Sequence, residues 1–477
     1  MTWEAVIGIE THIELLTASK MFCGCPADVN AEPNTNVCPV CLGLPGALPV
    51  PNERAIEWTV MLGLALDCAI APRSLFHRKN YFYADMPKNY QISQYDIPLC
   101  ADGHLDVETD DGVRRVGLTR VHLEEDTGKS THLGESGRIH GSEASLVDFN
   151  RAGVPLMEAV TEPDIRTPEE ARAYAAELRA IVLALGVSDA KLEEGSMRFD
   201  ANVSLRRAGT EAFGTKVEVK NMNSLRSLQR ALAHEIDRQG RILDDGGTID
   251  QETRHWDEER GRTEPGRSKE ESSDYRYFPE PDLVPVEVRS DVVDRLRAGL
   301  PELPAARRGR FVDSGVDAGN ARHLASDDLL AGIFESALDA GADARAAANW
   351  LTGEVTAWMR REEAEPAALS GEHLAELLAL IDDGDVSATA AKTVLEGVLS
   401  GEGPPRTVAE ARDLLQISDE GALVDAVDEA LAASPDERER LAGGDMKLVG
   451  FFVGQVMRAT GGKADPRRVS ELLRERA

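Results

Sequence analysis

Val6-Ile7-Gly8-Ile9-Glu10-Thr11-His12-Ile13-Glu14-Leu15 alternates in the period of a β-strand. Successive side chains of a strand point to opposite faces. Ile7, Ile9, Ile13 and Leu15 therefore share one face with Thr11, and Glu10, His12 and Glu14 share the other. An imidazole flanked by two carboxylates suits a divalent cation or proton transfer. The plain alternative is the solvated face of an antiparallel strand. The pattern recurs, however. Residues 197–205 set Arg198, Asp200, Asn202 and Ser204 against Phe199, Ala201, Val203 and Leu205. Residues 215–220 set Lys216, Glu218 and Lys220 against Val217 and Val219, and residues 121–126 set His122, Glu124 and Asp126 against Val121 and Leu123. Residues 197–220 read as a hairpin with Ala208-Gly209 and Phe213-Gly214 among its turn signals. The expectation is an antiparallel sheet carrying a site on its shared polar face.

A chain of 477 residues holds two or three domains with full cores. Residues 1–292 alternate strands with helices expected at 53–66, 168–186 and 222–239. Asn52 is a candidate N-cap for the first, and Thr167-Pro168-Glu169-Glu170 opens the second. Residues 251–281 read as a long irregular segment ending in Asp274-Tyr275-Arg276-Tyr277-Phe278-Pro279, a composition more often functional than connective. From residue 293 the texture turns to Ala, Leu, Glu, Asp and Arg with helical spacing. Gly401-Glu402-Gly403-Pro404-Pro405 separates an all-helical domain, 293–405, from a small helical tail, 406–477. The fold class is α+β.

The net charge is −31, with 84 acidic and 53 basic residues. Acidic residues spread over the whole chain resemble adaptation to a salty cytoplasm. Because salt screens charge over roughly 3 Å at 1 M, this acidity does not exclude a nucleic-acid partner. Lysine is scarce, so Lys79 and Lys88, in a dense polar-aromatic segment, and Lys216 and Lys220 are candidates for holding phosphate, or else for pairing with nearby carboxylates. In the tail, Lys447, Arg458, Lys463, Arg467 and Arg468 form the densest basic cluster. It reads as a phosphate-backbone contact or as compensation of helix dipoles. Gly461-Gly462 is expected to end the helix before it. No run of apolar residues is long enough for a membrane span, and the chain enters a strand at once, so a soluble cytoplasmic protein is expected.

Cys23-x-Cys25 and Cys38-x-x-Cys41 are separated by twelve residues, the spacing of a closed four-cysteine zinc site of structural type. Cys68 and Cys100 read as isolated thiols. Thr127-Gly128-Lys129-Ser130 ends like a phosphate loop, but the position that needs the first glycine is Leu123, so the motif is absent. Any phosphate chemistry must use the carboxylate and lysine face with a divalent metal.

The motifs V-I-G-I-E-T-H-I-E-L, C-P-V-C-L-G-L-P-G, R-K-N-Y-F-Y-A-D-M-P-K-N-Y-Q-I-S-Q-Y-D, H-L-E-E-D-T-G-K-S, V-D-F-N-R-A-G-V-P-L-M-E, E-E-G-S-M-R-F-D-A-N-V-S-L, D-Y-R-Y-F-P-E-P-D-L and F-V-G-Q-V-M-R-A-T-G-G-K-A-D-P are long and specific. Together they resemble the B-subunit family of the aspartyl/glutamyl-tRNA(Asn/Gln) amidotransferases along essentially the whole chain. The resemblance implies a cradle domain, a helical domain and a tRNA-touching tail. It implies ATP- and Mg2+-dependent phosphorylation of the side-chain carboxylate of Asp-tRNA(Asn) or Glu-tRNA(Gln). Amidation follows, by ammonia from a glutaminase (amidase) partner in a heterotrimer completed by a third, small subunit. It implies that Glu10 and His12 hold magnesium with Glu124 or Glu125. Strand parity favours Glu124, and a bulge would exchange the two. Lys79 and Lys88 are then expected at the phosphates or at the ammonia exit, and Arg198, Asp200, Asn202 and Glu218 on the same polar face. No Ser-Ser-Lys amidase signature is present, so glutamine hydrolysis is expected on a partner. A non-catalytic tRNA-binding scaffold and a stand-alone metal-dependent phosphotransferase are the alternatives.

Overall fold

The computed structural model describes residues 3–133, 143–268, 275–416, 420–461 and 463–476. Lys269, Asp274 and Gly462 lie outside them. Two compact units divide the chain, Met1–Leu303 and Pro304–Ala477. In the first unit, β1 (Trp3–Glu14), α1 (Glu53–Ala65) and β2 (Ala69–Ile70) are followed by short strands β3 (Arg73–Ser74), β4 (His77–Asn80) and β5 (Tyr90–Ser93). Then come β6 (Cys100–Thr109), β7 (Gly112–Glu125), β8 (Lys129–Leu133), β9 (Ala144–Asp148), β10 (Pro155–Thr161) and α2 (Pro168–Ala184). The unit is completed by β11 (Met197–Arg207), β12 (Val217–Lys220), α3 (Leu225–Asp244), β13 (Glu252–Asp257), β14 (Arg262–Ser268), β15 (Phe278–Pro279), β16 (Val286–Glu287) and α4 (Ser290–Ala298).

A nine-stranded sheet in the order β14-β13-β12-β11-β1-β10-β7-β6-β2 is the frame. Its pairings are antiparallel except β12 with β13, which run parallel. β1 is central because alternation lets it bury one face and keep the other polar: Ile7, Ile9, Thr11 and Ile13 are buried, while Glu10, His12 and Glu14 are partly open. The apolar faces of β1, β7, β10 and β11 join one core with α1, α2 and α3, including Tyr174, Leu178 and Leu228. Each such fully buried aliphatic side chain contributes about 1.5–3 kcal/mol of transfer free energy. Asn52 caps α1 at the N–H groups of Arg54 and Ala55, and the Thr167 hydroxyl caps α2 at the Glu170 N–H, 3.1 Å. α3 starts later than its spacing suggests because Ser224 takes the cap of Ser227 N–H at 3.0 Å.

Residues 251–281 are not one irregular loop. β13 and β14 form a hairpin that extends the sheet, burying Thr253, Arg254 and Trp256. Pro265 and Gly266 interrupt the β14 pattern in sequence. The strand tolerates them because it lies at the sheet edge, where a missing donor costs no ladder bond. The first unit continues to Leu303 because α4 buries Leu296 in the same core.

The second unit is helical. One core runs from Phe311 through Leu374 and Leu395 to Val408 and Ala409, and a separate small core joins Leu423, Val427, Phe452, Val456, Leu472 and Leu473. The helix Pro405–Ala411 therefore packs with the preceding helices rather than with the tail. No described helix is long and apolar enough to cross a membrane.

Candidate functional site

Strand register assembles the polar face. His12 lies opposite Glu158 on one side and Arg198 on the other, and Glu158 lies opposite His122. One row thus reads His122, Glu158, His12, Arg198. The next row places Glu10 beside Asp200 and Val160. A cavity of about 760 Å3 opens over these rows, of a size suited to a nucleotide-scale ligand. Glu10, His12, His122, Glu158, Asp200, Glu218 and Lys220 line it from the sheet; Lys79, Tyr95, Tyr275 and Tyr277 line it from β4 and the neighbouring loops.

Donor atoms of His12, Glu124 and Glu158 lie within 4.8 Å of one another, a spacing that can hold a metal ion. His12 Nε2 is 4.0 Å from Glu124 and 3.8 Å from Glu158. His122 Nε2 approaches Glu158 at 3.3 Å and Glu124 at 3.7 Å, and the Ser93 hydroxyl donates to Glu124 at 3.0 Å. Burial alone would raise the Glu158 and Glu124 carboxyls, but His122 and Lys79 outweigh it and hold both ionised below their ordinary range. Glu10 goes the other way: burial and the carboxylates of Glu158 and Asp200 raise it. The donor set of one imidazole and two carboxylates fits a hard divalent ion.

Burial opposes charge on Lys79 too, yet Glu124, Tyr277 and Glu158 hold the ammonium well above its ordinary value. Its Nζ sits 5.1 Å over the Tyr275 ring. Lys220 is held high in the same way by Asp200, to which it donates at 2.7 Å, and by Glu218. Glu218 accepts from the Thr253 hydroxyl at 2.7 Å. Asn202 donates to Glu10 at 3.0 Å. Arg198 turns to Asp126 at 3.0 Å and does not line the cavity.

Glu125 and Lys88 lie elsewhere. β7 has no bulge at this point, so Glu125 falls on the opposite face from Glu124, with Leu123 and Val121. It ion-pairs with Lys88 and accepts from Ile92 N–H at 2.9 Å. The pair borders a separate pocket of about 180 Å3 whose other wall is the cysteine loop, Cys23, Cys41, Gly43 and Leu44.

The four cysteines converge. Cys23, Cys25, Cys38 and Cys41 bring their sulfurs within 4.8 Å of one another and could bind a structural zinc. Corners of a tetrahedron with metal–sulfur bonds of about 2.3 Å are about 3.8 Å apart. Cys38 and Cys41 Sγ are separated by 3.8 Å. A donated Cys23 S–H lowers the Cys41 thiol to about 5, and the Cys38 N–H and the Lys20 ammonium assist. Lys20 is fully buried, donating to the carbonyls of Asn36 at 2.7 Å and Phe149 at 3.1 Å. Cys68 and Cys100 are buried, and burial raises both thiols.

In the tail, Lys447, Arg458 and Arg467 are exposed, while Lys463 ion-pairs with Asp413 and Arg468 with Glu471 at 2.9 Å. The basic cluster is thus partly compensated. His12 and Glu158 line the main cavity with Glu124 buried beside them; the sequence pointed to Glu10, His12 and either Glu124 or Glu125 as ligands, but the three donors that converge leave out Glu10 and Glu125 and include Glu158. The signal for Glu158 was a lone carboxylate inside the apolar run Leu156-Met157-Glu158-Ala159-Val160.

A sheet-borne cavity joining a metal-ready imidazole–carboxylate cluster to half-buried lysines defines a candidate phosphate-handling centre. Residues 5–294 match the GatB/GatE catalytic domain and residues 332–476 the GatB domain. The B subunit of the aspartyl/glutamyl-tRNA(Asn/Gln) amidotransferase of Frankia casuarinae is 54% identical over 99% of this chain and 95% of its own. Its counterpart from Moorella thermoacetica is 51% identical over the whole of both chains, and that from Salinispora arenicola 51% over 99% and 96%. The chain belongs to the B-subunit family of these amidotransferases.

Proposed function

We propose that this chain is the carboxylate-activating subunit of a tRNA-dependent amidotransferase, a ligase of protein biosynthesis. The observation that carries the reading is the convergence of His12, Glu124 and Glu158, in a chain of this family, at a 760 Å3 cavity that His12, Glu158 and Lys79 line. An ionised side-chain carboxylate on Asp-tRNA(Asn) or Glu-tRNA(Gln) resists attack by ammonia. Its oxygen attacks the γ-phosphorus of ATP, ADP leaves, and an acyl phosphate forms. Ammonia then adds to the acyl carbon and phosphate departs with the former carboxylate oxygen. His12, Glu124 and Glu158 would hold Mg2+, which when bound offsets charge on the phosphate oxygens. Lys79 and Lys220 meet the transferring phosphate, and Glu10 lines the cavity beside the metal ligands. Asp200, Glu218 and Asn202 hold Lys220 and Glu10 in place, and Arg198 orders the rim through Asp126.

Ammonia comes from a glutaminase (amidase) partner, joined with a third, small subunit in a heterotrimer. Lys88 and Glu125, on the other face of the sheet, line the approach of ammonia rather than the phosphate. Zn2+ on Cys23, Cys25, Cys38 and Cys41 has no open position and is structural. The helical tail, 420–477, contacts tRNA through Lys447, Arg458 and Arg467. Replacing His12 with Ala in the reconstituted complex tests the reading against a purely tRNA-binding scaffold. Consumption of ATP that depends on misacylated tRNA is expected to fall on the order of a hundredfold or more. Unchanged consumption would make the sheet a scaffold.

A further inference from the structure

β4 carries Arg78, Lys79 and Asn80 in succession, at the centre of a small sheet in the order β15-β4-β5. Alternation gives Lys79 one face and its two neighbours the other. Lys79 lines the main cavity. Arg78 and Asn80 instead grip residues 275–282, the segment that runs beside β4. Arg78 donates to Glu280 from Nε at 2.7 Å and from Nη2 at 2.9 Å, and from Nη2 to Asp282 at 3.2 Å. The Glu280 side chain is fully buried, so this fork is a fixed anchor rather than a loose surface pair. The rings of Tyr90 and Phe278 lie 4.2 and 5.9 Å from the Arg78 guanidinium. Asn80 holds the other end of the segment. Its Nδ2 donates to the carbonyls of Tyr275 at 3.0 Å and Arg276 at 2.9 Å. Arg276 has a φ of 44°, a left-handed conformation that few non-glycine residues adopt. Bonds to the carbonyl before it and to its own keep the chain in that turn. On either side of the turn, Tyr275 and Tyr277 line the main cavity. Tyr277 stacks on Tyr95 at 4.3 Å, and Lys79 Nζ lies 5.1 Å over the Tyr275 ring.

We propose that Arg78 and Asn80 are positioning residues for phosphate transfer: they seat residues 275–282 beside β4, and Tyr275 in turn fixes where the Lys79 ammonium meets the phosphate. A lysine head on its four-carbon stem samples many positions, and attraction to the face of a placed ring selects one of them. One strand thus supplies the cation and, through its two neighbours, the wall that aims it. The proposal rests on the phosphate-handling role of Lys79 given above.

The experiment compares the reconstituted complex carrying Asn80→Ala, and separately Arg78→Lys, with the wild type. Arg78→Lys keeps a cation beside the buried Glu280 but loses the fork. For consumption of ATP that depends on misacylated tRNA, each variant should lower kcat roughly tenfold, as expected of a displaced reacting group, with KM for ATP little changed. The peptide bond after Arg276 reports on the segment directly. Trypsin should cut it faster in both variants, while the urea midpoint of Asn80→Ala stays that of the wild type. In a Tyr275→Ala background, Asn80→Ala should cost nothing further, because it acts through that ring. An unchanged kcat in Asn80→Ala overturns the proposal, and so do losses that multiply in the Asn80→Ala, Tyr275→Ala double variant. A lower kcat that comes with a lower urea midpoint and no faster cleavage after Arg276 makes the contacts merely structural and overturns it too. Unchanged ATP consumption in Lys79→Ala overturns the role of Lys79 beneath the proposal, whatever Asn80→Ala does.

Discussion

Glu124 and Glu125 are neighbours in β7 that serve opposite faces of one sheet. The Glu124 carboxylate faces His12 and Glu158, and that of Glu125 faces Lys88 and the Ile92 N–H. Strand alternation alone separates them, and it gives two adjacent carboxylates with different consequences when removed.

Glu124→Gln should leave the fold stable and lower misacylated-tRNA-dependent ATP consumption on the order of a hundredfold. Glu125→Gln should act first on stability, because it strands a buried Lys88 ammonium; the cost expected is about 3–5 kcal/mol in urea unfolding. Equal stability of the two variants would contradict this division.

The cysteine loop should carry about one zinc per chain, measurable by elemental analysis of the purified complex. Cys41→Ser is expected to lose that zinc and to make residues 20–50 susceptible to proteolysis. Gly43 sits at positive φ, 65°, and an added Cβ would overlap the Lys88 side chain. Gly43→Ala should therefore keep the zinc and lose about 1–3 kcal/mol of stability through the displaced Lys88. A zinc-free wild-type protein with all four thiols reduced would reject the site.

Burial and the Asp126 carboxylate push Glu14 up to about 8, while Arg198 and Arg151 keep Asp126 ionised and well below its ordinary range. The folded value of Glu14 lies above its ordinary 4.5. Its protonated form thus stabilises the fold fully below pH 4.5, and that contribution is lost as the pH rises through about 8. Unfolding free energies at pH 6 and pH 9 should differ less in Glu14→Gln than in the wild type. An identical pH dependence would refute the raised Glu14 carboxyl.

Removing residues 420–477 takes away the small core around Phe452 and Leu472 but leaves Val408 and Ala409 in place. The truncated complex should bind tRNA on the order of tenfold more weakly, with a shallower salt dependence, while its affinity for ATP persists. Equal tRNA affinity would remove the tail from the interface.

Much of this was legible in sequence because the period of two is strict where one face is buried. Ile7, Ile9 and Ile13 announce β1, and Phe199, Ala201 and Val203 announce β11. The cysteine spacing was equally direct. The β13–β14 hairpin was hidden because, Trp256 apart, its buried residues Thr253, Arg254 and Thr263 are polar and satisfied by Glu218 and Glu235 rather than by apolar contact. Glu158 was hidden because alternation within one strand cannot say which partner lies opposite; only the β1–β10 register brings it to His12. Lys79 and Lys88 share one aromatic segment, and the turn between β4 and β5 sends them to different pockets.

If the side-chain carboxylate of the misacylated tRNA is phosphorylated in the cavity lined by His12 and Glu158, one of its oxygens leaves with the phosphate. Supplying the reconstituted complex with ATP, glutamine and tRNA whose aspartyl or glutamyl side-chain carboxylate carries oxygen-18 tests it directly. Mass analysis of the released phosphate should find one labelled oxygen per turnover, and Glu158→Gln should suppress its formation. Unlabelled phosphate accompanying normal amide formation would contradict the account.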